Sequence, residues 1–198
     1  MNPEHGARQA INIAYNHQLR GRDPLETDGV QYTVRGGDGK ILEGISAGHI
    51  ISAIDWLGND KPLYKHWLLW AYADKQTEDR GRSIRFWLHN NYCVYRNIRR
   101  SDRFEPLRRL ATLAILDFPV RDVTGRPKYT VEQLCAEMGY DNKDRNWARD
   151  FGHRFDDMEN MLNELAGDAL SAFFDTLETC KRIRRKRDLI EQSRYAQH

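Results

Sequence analysis

Arg145, Asn146 and Arg149 carry the most specific chemistry in this sequence. A guanidinium donates two parallel hydrogen bonds to a guanine edge, and a carboxamide pairs in the same two-point way with adenine. Other groupings suggest catalysis or metal binding at first sight and then fall short. His89, Asn90 and Asn91 have no neighbouring acid and no second histidine at ligand spacing. His153, Asp156 and Asp157 form one polar helical turn, better explained as the flank of a DNA-reading face than as a metal site. RGGDG at Arg35–Gly39 lacks the Lys-Ser/Thr of a phosphate loop and opens no evident helix. No nucleophile, base and orienting group come together. The sequence therefore predicts no catalytic residue, no metal site, no cofactor and no enzyme.

The elements that must position Arg145, Asn146 and Arg149 are legible in Tyr129–Met158. Thr130 and Gln133 make a capping box, so a helix starts at Val131. Leu134 and Met138 lie one turn apart on its apolar side, and Cys135 is small enough to let a second helix cross closely. Gly139 suits a left-handed stop, and Asp141 and Asn142 suit the cap of a second helix. That second helix places Trp147, Phe151, Phe155, Met158 and Leu162 on one stripe. At ~100° per residue its opposite face carries Asn142, Arg145, Asn146, Arg149 and His153. The pattern predicts a helix-turn-helix, which offers base-reading side chains from the start of its second helix. Lys143, Lys128 and Thr130 complete the predicted DNA-binding set. A solvated Arg/Asn face is the plainer alternative.

Charge is unevenly spread. The 198 residues carry a net charge of +2, with 40% hydrophobic and 30% charged residues, ordinary for a soluble globular chain. Arg80 to Arg109 holds nine arginines against Asp102 and Glu105. Asp156 to Glu178 holds seven acids and no lysine or arginine, and Lys181–Arg187 then packs six positive charges into seven residues. Basic stretches attract a phosphate backbone irrespective of sequence. Arg96, Arg99, Arg100, Arg103, Arg182, Arg184 and Arg185 are accordingly predicted to contact phosphate or RNA. Cys93, Cys135 and Cys180 are far apart and include no C-x-x-C pair, which argues for reduced thiols and against a zinc ribbon. With no signal peptide and no apolar run long enough to span a bilayer, the expected location is the cytoplasm, without membrane contact.

Along the chain, a helix is expected from the first residues to Leu19, then a loop, then a short hairpin within residues 30–42. Helices are expected at Ser46–Leu57, ended by Gly58, from Pro62, at Ser83–Ile98 and at Phe104–Phe118. Trp67, Trp70 and Trp87 fall on helical stripes and read as core rather than as a base-stacking platform. PVRDVTGRPKY, Pro119–Tyr129, breaks the pattern and reads as a boundary. Gly167 is a candidate break in the last helical stretch. The expectation is a mostly α protein. A helical bundle-like body with a small N-terminal β-hairpin (1–118) is followed by a linker (119–128) and a C-terminal helix-turn-helix module with a basic tail (129–198).

The order of several segments resembles the late-gene antitermination proteins of lambdoid phages, the Q proteins, in the branch without zinc-binding cysteines. The resemblance runs from about Gly44 to Cys180. WLLWAYA at Trp67–Ala73, RFWLHNNY at Arg85–Tyr92 and LATLAILD at Leu110–Asp117 carry it. So does KYTVEQLCAEMGY…NWARDF…RFDDM, with an aromatic at every fourth position, Trp147, Phe151 and Phe155. YDNKD after Gly139 is longer than the family's turn. The resemblance implies a factor that binds double-stranded DNA at a late promoter. It joins bacterial RNA polymerase held with sigma at a promoter-proximal pause, then suppresses pausing and termination in the host cytoplasm, with nascent RNA as a further ligand. A phage or plasmid helix-turn-helix repressor or activator is the competing expectation. A structural or inhibitory protein that binds nucleic acid without sequence preference is a third.

Overall fold

The structure is a computed structural model and describes residues 3–19, 32–35, 41–73, 75–99, 104–139 and 147–195. It is mostly helical. Two compact units form, one from residues 1–75 with 167–198 and the other from residues 76–166.

In the first unit, helix α1 (Pro3–Leu19) packs on strand β1 (Tyr32–Arg35) and on helix α2 (Ala47–Asp60). β1 pairs antiparallel with β2 (Ile41–Ile45), beyond the Leu42 limit expected from alternation. Residues 36–40, where the turn is expected, lie outside the described residues. The register slips between Tyr32 and Val34, and Gly44 sits there at φ 65°. A glycine tolerates the left-handed geometry that a bulge needs. Ser46 caps α2 in a variant of the capping box: its hydroxyl accepts from His49 N at 3.4 Å, and His49 Nδ1 accepts from Ser46 N at 3.1 Å.

Gly58 does not end α2. Lys65 of helix α3 (Pro62–Ala71) crosses over it, its side chain occupying the space that a Cβ here would take. Lys65 then reaches Asp55 at 2.8 Å. The glycine leaves room for the Lys65 side chain, a tertiary neighbour that local propensity cannot reveal. Trp67 and Trp70 are buried in α3, the core role expected of them, whereas Trp87 is only half-buried in the other unit. Ile50, Ile54, Phe173 and Leu177 add to the first unit's core.

In the second unit, helix α4 (Glu78–Tyr95) packs on helix α5 (Phe104–Thr124). α4 starts earlier than expected because Glu78 and Asp79 sit at its positive end, within 3.9–4.0 Å of Arg82 and Arg85. It stops at Asn97, which takes φ 50° while Ile98 N donates to Cys93 O at 2.8 Å, a left-handed stop without glycine. α5 runs past Phe118 and through Pro119 to Thr124, so residues 119–124 are helix rather than linker. Gly125, at φ 68°, closes it by donating to Arg121 O at 2.8 Å.

Helix α6 (Val131–Glu137) begins with the expected capping box, Gln133 N to Thr130 Oγ1 at 3.3 Å and Thr130 N to Gln133 Oε1 at 2.9 Å. Gly139 follows at φ 66°. From Trp147 the chain is helical again, with a π-helical turn over Ala148–Gly152 and then helix α7 (His153–Tyr195). Gly167 does not split α7, although the two units divide at that point.

Candidate nucleic-acid interface

Asp117 is the central polar residue around α6. An acid within an apolar helical face is costly unless it is fully bonded, and Asp117 is 1% exposed. Its Oδ1 accepts Lys128 N at 2.6 Å and Tyr129 N at 3.3 Å; its Oδ2 accepts Arg121 Nε at 2.8 Å. It therefore ties the residues leading into α6 back onto α5. Arg121 also donates to Glu159 of α7 at 2.5 Å, and its guanidinium lies over the Phe155 ring at 5.9 Å. Burial pushes the Glu159 carboxyl up to about 7 against the pull of Arg121, and Asp117 adds to the rise. The signal in the sequence was an acid closing the apolar run LATLAILD, with Arg121 four residues on.

The aromatic stripe is buried as expected. Trp147, Phe151, Phe155, Met158 and Leu162 are all in the core. The Trp147 ring stands 5.7 Å from Phe151 and 6.2 Å from Phe155. An aromatic every fourth residue drifts off a straight α-helical face, and one wider π turn takes up that drift. The same turn means that a constant step of ~100° does not hold across Ala148–Gly152.

Arg149 and His153 are exposed, with Arg149 donating to Asp150 at 2.7 and 3.0 Å. Thr130 and Lys128 are exposed; Thr130 is engaged in its cap, and Lys128 Nζ lies over the Tyr129 ring at 5.1 Å. Asn142, Lys143, Arg145 and Asn146 lie outside the described residues, as do Arg100 and Arg103.

The two basic regions differ. Arg96 is joined through Nε (2.9 Å) and Nη2 to Asp157, so that its positive charge is matched within the unit. This pairing accounts for Asp157, one member of the His153–Asp156–Asp157 turn. Arg99 donates to Asn97 Oδ1 at 3.1 Å. Arg182, Arg184 and Arg185 are exposed along α7. Beside them Lys181 Nζ donates to the carbonyl of Glu43, a residue of the irregular stretch of β2. Burial and nearby Arg185 both pull the Lys181 ammonium below its usual range.

His89 is buried, with Nδ1 3.2 Å from Asn90 Oδ1, Nε2 3.7 Å from Cys93 Sγ and its ring edge-on to Phe104 at 5.7 Å. Burial raises the Cys93 thiol. Among the described residues, no three His, Cys, Asp or Glu side chains gather to hold a metal ion.

The arrangement is that of a mostly helical protein with arginine-rich exposed faces. Comparison with known families makes the class specific. Residues 58–190 match the phage antitermination protein Q family, and the chain belongs to that family. Its role is in phage antitermination, a regulatory one. No curated protein and no solved structure matches the chain significantly. Among the described residues, no helix is long and apolar enough to cross a membrane.

Proposed function

We propose that the protein reads a promoter-region DNA element through α6 and the helical segment after it, and that it joins bacterial RNA polymerase to suppress pausing and termination. The carrying observation is the arrangement of α6. A capped short helix ends at a left-handed glycine, and the next described helix is anchored by buried Trp147 and Phe151 with Arg149 exposed. Arg145, Asn146 and Arg149 are the proposed base readers, flanked by Asn142, Lys143 and His153, with Thr130 and Lys128 at the start of α6. Arg99, Arg100, Arg103, Arg182, Arg184 and Arg185 are the proposed phosphate or nascent-RNA contacts. Arg96 is a weaker candidate because Asp157 already holds it.

Quantitative binding to the phage's own late-promoter DNA tests the reading. Changing Arg145, Asn146 or Arg149 to Ala should each cost about 1–3 kcal/mol on the cognate site and relax preference at one base position. A triple variant that binds the cognate site as tightly as the unmodified chain contradicts it. Single recognition modules bury only about 600–1,000 Å² on DNA, so polymerase should tighten the complex.

A further inference from the structure

A groove of about 720 Å³ lies between α4 and α5, within the second unit. Its apolar lining includes Phe86, Val94 and Phe104, and its cationic lining is Arg82, Arg85 and Arg108. Among the described residues, none that lines it is acidic. Phe86 is 68% exposed and Val94 81% exposed, an unusual display for large apolar side chains two turns apart on one helix. The arginines are held only loosely: Arg82 and Arg85 approach Glu78 at 3.9 Å, and Arg108 approaches Glu105 at 3.9 Å. Arg82 and Arg108 are exposed and Arg85 is half-buried; pairs this long contribute little and re-form easily with another carboxylate.

We propose that this groove seats an acidic amphipathic helix of RNA polymerase, which rests on the reading that polymerase is a partner. Charge complementarity selects the occupant. A helix that lays apolar residues at i, i+3/i+4 and i+7 on Phe86, Val94 and Phe104 brings its flanking carboxylates to the three arginines. A nucleic-acid strand suits the groove less well. Its most exposed apolar lining side chain is the aliphatic Val94, which suits apolar side chains and gives no stacking surface between the rings of Phe86 and Phe104.

The test uses the full chain with a benzophenone amino acid in place of Phe86, photo-crosslinked to purified core RNA polymerase and mapped by mass spectrometry. Two further variants, Phe86→Glu/Val94→Glu and Arg82→Glu/Arg85→Glu/Arg108→Glu, are assayed for polymerase and for promoter-element binding, with thermal melting as the fold control. The expected result is a crosslink in a polymerase helix rich in Asp and Glu. Polymerase affinity should fall at least about tenfold in both variants, with DNA-element binding and melting unchanged. Crosslinks to nucleic acid, to a second copy of the chain or to a non-acidic surface overturn the proposal. So does undiminished polymerase binding by a folded variant, which leaves the polymerase reading intact. If the unmodified chain holds the DNA element but not polymerase, that reading fails first and takes the groove's occupant with it.

Discussion

Glu159 is the residue whose environment makes the sharpest prediction. Glu159 is 8% exposed, with Arg121, Asp117 and Asp156 around its carboxyl, and burial raises that carboxyl from 4.5 to about 7. A group that binds its proton more tightly when folded adds stability that is fully present below its unfolded pKa. That stability is lost as pH rises through the folded value. The protein should therefore lose stability between about pH 4.5 and 7 on account of this one group. Glu159→Gln keeps an acceptor for Arg121 and removes the titration. Melting curves across that range should show the variant gaining on the unmodified chain as pH rises; parallel curves would show that Glu159 ionises freely in the fold. Little of this was visible in the sequence. The helical stripe of Trp147, Phe151, Phe155, Met158 and Leu162 identifies apolar neighbours correctly, but Glu159 lies next to that stripe and reads as surface. The approach of α5 brings Arg121 and Asp117 against it.

Among the elements, the helices were legible where local chemistry decides them. The Thr130/Gln133 box and Gly139 mark α6 because caps depend on neighbours in sequence. Local preference misleads where a distant partner overrides it. Gly58 accommodates Lys65, and Pro119 stays in a helix whose following turn is held by Asp117. The π turn at Ala148–Gly152 was likewise invisible to a fixed angular step. Two predictions belong at this scale. Trp147→Ala leaves a cavity beside Phe151 and Phe155 and should cost about 3–5 kcal/mol of stability, whereas Arg149→Ala on the exposed face should alter melting little. Comparable destabilisation by both would mean that Arg149 has a packing role. At the other end of α7, neutralising Arg182, Arg184 and Arg185 should weaken binding to every duplex tested. Each arginine that neutralises a phosphate should, once replaced, flatten the slope of log affinity against log salt by about 0.9. An unchanged slope would make these charges a solvated helix face.

For the whole molecule, the mostly helical body and the family were both accessible from sequence, because helical stripes and the order of short motifs survive without tertiary knowledge. The division into units was not. Residues 167–198 group with residues 1–75, a pairing of chain ends that a linear search for linkers cannot find. The proposed termination resistance of polymerase is a property of the whole chain, and in-vitro transcription measures it directly. The template carries the phage's late promoter, its early pause and a downstream intrinsic terminator. Added protein should raise terminator readthrough only when the promoter-region element is present, and the Arg145→Ala/Arg149→Ala variant should not. Tight binding to the element with readthrough unchanged, and with initiation alone raised or silenced, would contradict the account and identify a promoter-bound repressor or activator instead.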